Sequence, residues 1–164
     1  EYNNGTIEIL KTAPISDWEI VLGKFFASLL LVVVALIPTL IYVYTVYQLG
    51  NPIGNIDFGS TIGSYVGLLF LATTYVSIGL FTSTLSKNQI VTFLLAVFIT
   101  FFFYYGFDAI STTLESESFA IKKFGINEHF KSISRGVIDT RDLIYFISVT
   151  VFFLFITKIK LDNE

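Results

Sequence analysis

Few side chains in this 164-residue chain could do chemistry, and their spacing argues against each reaction in turn. His129 is the only histidine, and no cluster of histidines or carboxylates accompanies it, so a metal centre lacks its donor set. Cysteine is absent, which removes disulfides, thiolate metal ligands and a cysteine nucleophile. Asp108 closes the stretch FFFYYGFD at the end of an apolar run. A carboxylate near membrane depth is a functional candidate by default. Here the residues read GFD rather than the GxGD of intramembrane aspartyl proteases, and no second aspartate lies inside an apolar run. Gly23-Lys24 has the dipeptide that ends a phosphate-binding loop. That loop needs a glycine five residues before its second glycine and Ser or Thr after the lysine. Trp18 and Phe25 stand there instead. The expectation is a chain with no catalytic residues, no cofactor, no metal and no nucleic-acid partner.

The more informative polar residues build structure. Ser16 and Glu19 fit a capping box, in which each side chain accepts the other's backbone amide. Ile15 and Ile20 take the staple positions on either side of the cap. Asp17 places negative charge on the first turn, where the helix dipole favours it. Pro14 disfavours helix immediately before it. The pattern predicts a helix that starts at Ser16 and runs unbroken through Lys24 into the apolar run behind it. Gly5-Thr6 can cap a second, short helix from about Ile7 to Thr12. Trp18 and Lys24 by themselves suit a membrane anchor, the one an interfacial aromatic and the other a snorkelling flank. Anchoring leaves residues 5–14 unexplained, and a short helix held at a fixed distance from the membrane suits docking of a soluble partner.

Composition supplies the solvent for the rest. The chain is 54% hydrophobic, 14% charged, and its mean hydropathy is +0.73. Ordinary soluble domains carry about a quarter charged residues, so the bilayer surrounds most of this chain. A hydrocarbon core about 30 Å thick needs about 20 apolar residues in helix. Runs at about 25–49, 61–85, 89–110 and 142–157 meet or approach that length, the last being short. Barrel strands would alternate apolar and polar residues, and these runs do not. The fold class is therefore all-α, a polytopic membrane helix bundle. Residues 1–24 form a polar leading segment and 25–164 the transmembrane domain.

The connections differ in kind. Residues 50–60 make a Gly/Asn/Pro turn, and 86–88 are so few that the second and third spans form an antiparallel hairpin. The long connection, 111–141, holds Ile126, Phe130, Ile133 and Val137 at spacings of 4, 3 and 4. They predict a short amphipathic helix closed by Gly136 and lying in the membrane interface, with Asp139 and Asp142 capping the last span. Gly59, Gly63 and Gly67 repeat every four residues, a spacing that lets helices approach closely. They suit either packing within the chain or a seam between copies. Pro38 is expected to kink the first span. Lys11, Lys24, Lys87, Lys158 and Lys160 lie towards the termini, and Lys122, Lys123, Lys131, Arg135 and Arg141 lie in the long connection. With the cations so evenly divided, the positive-inside rule does not orient the chain.

The pattern GTIE…L…P…W..IVLGK, with a span following at once, resembles the junction between the second and third spans of ABC-2-type transporter permeases. The stretches IPTLIYVYTVYQLGNPIGNIDFGSTIGSYVGLLFL, LSKNQIV and HFKSISRGVIDTRDLIYFISVTVFFLFIT resemble the permease subunit of gliding-motility ABC transporters. The likeness covers nearly the whole chain. It implies a six-span permease of which four spans are present here, and the absence of methionine fits a chain that continues upstream. It implies a cytoplasmic coupling helix at the start, cytoplasmic termini in a bacterial inner membrane, and an extracytoplasmic amphipathic helix. It also implies an ABC ATPase subunit as partner and a second permease copy or a sister permease. The residues it places against the ATPase are Gly5, Thr6, Glu8, Leu10, Pro14, Ile15 and Trp18, with Ser16 and Glu19 capping the junction. The function implied is export driven by a separate ATPase. The alternative is a non-transporting scaffold that anchors a surface motility or secretion machine.

Overall fold

The computed structural model describes residues 15–113 and 121–162, and among these every regular element is helical. The expected helix at 7–12 lies outside the described residues, as do Gly5, Thr6, Glu8, Leu10 and Pro14. Helix α1 is Asp17–Leu36. A 3₁₀ turn, Ile37–Thr39, leads it into α2, Leu40–Leu49. Helix α3 is Phe58–Ser83, α4 is Gln89–Phe101, and α5 is Phe107–Thr113 after a π turn at Phe102–Gly106. Helix α6 is Ile126–Ser134 and α7 is Thr140–Asp162.

Four helical stretches are long and apolar enough to cross a membrane: Asp17–Leu49, Phe58–Ser83, Gln89–Thr113 and Thr140–Asp162. The first has 33 residues. At about 1.5 Å per residue it outreaches a hydrocarbon core of about 30 Å. The sharp feature in it is Pro38. Proline supplies no amide to the helix ladder and its ring crowds the carbonyl one turn back, so the backbone tightens locally. Thr39 Oγ1 donates to the Leu36 carbonyl at 2.6 Å and meets the Tyr65 hydroxyl at 2.9 Å, which ties the kink to α3. The short fourth run also resolves itself. Helix α7 continues through TKIKLD, with Lys158 paired to Asp162 one turn on.

Helix α3 is the hub, touching α1, α4, α6 and α7. Two apolar clusters form around it. Towards the start of α1, Ile20, Val21 and Phe25 pack with Leu154 and Leu161 of α7. At the opposite end, Ile126 and Ile133 of α6 pack with Phe146 of α7, and Val66, Phe70 and Phe130 lie against them. By contrast, α2 and α4 bury none of their residues within this chain, and side chains such as Ile41, Phe93 and Phe98 are exposed.

The structure adds to one expectation and corrects another. The amphipathic helix forms, and its Ile126 and Ile133 are fully buried, seated against the bundle. Val137 does not join them, because the helix ends at Ser134 and Val137 is exposed. The physical reason is the glycine stripe. A Cβ on Gly63 would lie 2.2 Å from the Ile133 carbonyl oxygen, and one on Gly67 would lie 3.2 Å from the Phe130 ring. Gly136 has φ +84, and a Cβ there would lie 2.7 Å from the Gly59 carbonyl carbon. Bare backbone on α3 thus admits α6 at closest approach. Gly63 and Gly67 serve contact within the chain.

Candidate functional site

The leading end of α1 is built as the sequence predicts. Ser16 is extended (φ −77, ψ 152) and caps the helix. Its amide donates to Glu19 Oε2 at 2.7 Å, its hydroxyl donates to the same oxygen at 3.0 Å, and Glu19's amide donates to Ser16 Oγ at 3.4 Å. Capping boxes of this kind satisfy amides that a helix start otherwise leaves open. Ile15, Ser16, Trp18 and Glu19 are exposed, whereas Ile20 and Val21 on the next turn are buried. Trp18 remains close enough to α7 for its ring to lie 6.2 Å from that of Phe155. One face of the helix start is therefore fixed to α7 and the other is exposed. Gly23 and Lys24 lie in the interior of α1, so no phosphate-binding loop forms there.

The opposite end of the bundle holds a polar cluster that spacing alone does not reveal. His129 Nδ1 lies 2.6 Å from Asp142 Oδ1, and its Nε2 lies 2.8 Å from the Lys123 carbonyl oxygen. A carbonyl only accepts, so Nε2 is the donor in the contact with Lys123. The imidazole stacks on Tyr145 at 4.0 Å, and the Tyr145 hydroxyl donates to the Phe124 carbonyl at 2.5 Å. Beside it, Asn127 Nδ2 donates to Asp108 Oδ2 at 2.7 Å. These bonds join α5, the turn before α6, α6 and α7. The expectation for Asp142 is thereby corrected: it does not cap α7 but is buried against His129, and Asp139 accepts the Arg141 amide at 2.9 Å.

The cluster holds segments together and has no nucleophile activated by a base. Among the described residues no three His, Cys, Asp or Glu side chains stand as a metal site. The sequence signal for the pair was weak, because His129 and Asp142 sit on different helices and only the docking of α6 brings them together. The carboxylate of Asp108, conspicuous in the sequence, has an intrachain amide partner.

A bundle of four apolar helices, each long enough to span a bilayer, defines the class of multi-pass membrane components. The model of the ABC-2 family transporter proteins matches residues 1–134. The chain belongs to that family, and is a membrane component of an ABC transporter. No curated protein and no solved structure matches it.

Proposed function

We propose that this chain is the permease subunit of an ABC-2-type exporter in a bacterial inner membrane, of the gliding-motility kind, and that it couples ATP hydrolysis in a partner subunit to transport. In this reading the termini are cytoplasmic. Residues 5–18, through Gly5, Thr6, Glu8, Leu10, Pro14, Ile15 and Trp18, take the ATPase, and a second copy or a sister permease completes the pathway. The single observation behind it is the rigid start of α1. A helix that receives a push must not fray, and this one is capped at its first residue and clamped by Ile20, Val21 and Phe25 to α7. Motion delivered to the exposed face near Trp18 then passes to two spans at once.

The test is co-purification of the full-length protein with its ATPase from detergent, with and without disruption of residues 5–18. The ATPase is expected to be lost on disruption. Pro14→Ala with Ile15→Ala is expected to insert normally and to uncouple hydrolysis from function. Normal coupling in that variant would remove the assignment. An ATPase that stays bound while nothing is translocated would favour the scaffold.

A further inference from the structure

Inside the spans, a cleft of about 330 Å³ opens between α3 and α4 with its π turn, lined by Tyr75, Val97, Thr100, Phe101, Tyr104 and Tyr105. The volume falls at the lower end of small-ligand sites, about 300–1,000 Å³. No Asp, Glu, Lys, Arg or His lines it among the described residues. The π turn at Phe102–Gly106 supplies two of the tyrosines. Such a turn holds more residues than an α-helical one, so neighbours splay less and Tyr104 and Tyr105 both reach the cleft. The rings of Tyr104 and Phe101 lie 4.7 and 5.3 Å from that of Tyr105, which makes a continuous aromatic wall.

The hydroxyls decide what could fill this space. Those of Tyr65 and Tyr145 are engaged with Thr39 and the Phe124 carbonyl. Those of Tyr75, Tyr104 and Tyr105 bond no group among the described residues. Counted from the hairpin, at about 1.5 Å per residue, Tyr75 lies about 12 Å along α3 and Tyr104 about 22 Å along the next span. Side chains lean towards the N-terminus of their own helix, and these two helices are antiparallel. Tyr75 and Tyr104 therefore lean towards one another, near the middle of a core about 30 Å thick. An unpartnered hydroxyl is costly in hydrocarbon, so acyl chains alone fill the cleft poorly. A phenol both donates and accepts, and its complement in a lining without charge is a neutral hydroxyl. Phe101 and Tyr105 are exposed at the edge, which leaves the cleft open sideways.

We propose that this cleft binds the uncharged, hydroxyl-bearing head of an amphiphile that enters from the bilayer. The sugar of a glycolipid and the glycerol hydroxyl of an acylglycerol both carry that chemistry.

The test uses the full-length protein in phosphatidylcholine nanodiscs doped with glucosyl diacylglycerol, diacylglycerol or phosphatidylglycerol. Retained lipid is read by native mass spectrometry without an ATPase, so the outcome is separate from the transport reading. The neutral lipids are expected to be retained above phosphatidylglycerol. Tyr75→Phe with Tyr104→Phe keeps both rings and removes both hydroxyls, and should cut retention about 30-fold, from the loss of two hydrogen bonds. Those hydroxyls bond nothing within the described chain, so thermal unfolding should not move. Val97→Phe narrows the cleft from α4, which buries none of its residues, and should cut retention with unfolding unchanged. A preference for the glucosyl lipid assigns the head to a sugar stacked on the aromatic wall, and equal retention of both neutral lipids assigns it to a lone hydroxyl. Retention of phosphatidylglycerol equal to the neutral lipids, parent-like retention in both variants, or a fall in thermal unfolding with the paired Tyr→Phe change would overturn the proposal.

Discussion

The docking of α6 on α3 makes a quantitative prediction, because one helix contains two glycines of opposite kind. At Gly63 an alanine Cβ would lie 2.2 Å from the Ile133 carbonyl oxygen and 2.8 Å from Gly136 Cα, where ordinary contacts begin near 3.4 Å. The obstructing atoms are backbone, so no rotamer relieves them and α6 must retreat by roughly an ångström. Overpacking of this sort costs about 1–3 kcal/mol. Retreat also stretches the bond from Ser60 Oγ to the Ser134 carbonyl, now 2.9 Å, worth about 1 kcal/mol. The expected loss for Gly63→Ala is therefore about 2–4 kcal/mol. At Gly79 an alanine Cβ meets nothing within 4 Å, and Gly79→Ala should gain about 0.5–1 kcal/mol from helix propensity. The parent chain has no cysteine, so Ile133→Cys supplies a sole thiol at the buried contact. Its maleimide labelling should rise about 30- to 700-fold in the Gly63→Ala background, and thermal unfolding in detergent should fall in step. Equal labelling in both backgrounds, or a Gly79→Ala protein destabilised as much as Gly63→Ala, would refute the reasoning.

Three further outcomes follow from the contacts described. Ser16→Ala removes the cap and should cost about 1 kcal/mol, seen as faster amide exchange confined to the first turn of α1; protection equal to the parent would show that the cap is idle. His129→Ala strands the buried Asp142 carboxyl and should cost about 1–3 kcal/mol. His129→Ala with Asp142→Leu should recover part of that loss, so a thermal double-mutant cycle with zero coupling would contradict the pairing. Thr74→Val breaks the bond of 3.3 Å to Thr150 between α3 and α7 and should cost about 0.6 kcal/mol in a denaturant titration in micelles.

The spans and the helix start were legible because both are local. A run of apolar residues in a bilayer has helix as its way to pair its backbone, and a capping box is written within four residues. The amphipathic period of Ile126, Phe130 and Ile133 was equally local, so the helix was foreseeable. Its seat was not. Gly63 and Gly67 announce a close approach but not what approaches, and an amphipathic stripe fits lipid or protein alike. His129 and Asp142 meet only through that seat. The π turn at Phe102–Gly106 left no sequence mark beyond Gly106, whose Cβ would crowd the Phe102 ring at 2.7 Å.

The contact of α6 with α3 also bears on how force moves through the bundle. Contacts between long side chains have play, because a change of rotamer absorbs small displacements. Gly63 meets the Ile133 carbonyl and Gly136 backbone to backbone, with no rotamer in between. With Cα atoms about 2.3 Å from the helix axis, turning α3 by about 30° sweeps them through about 1.2 Å. Such a sweep meets the α6 backbone directly, with no side chain between to absorb it. From α6 it continues to α7 through His129–Asp142 and to α5 through Asn127–Asp108. A displacement of α3 at Gly63 thus meets α6 without slack, and hydrogen bonds tie α6 in turn to α5 and α7.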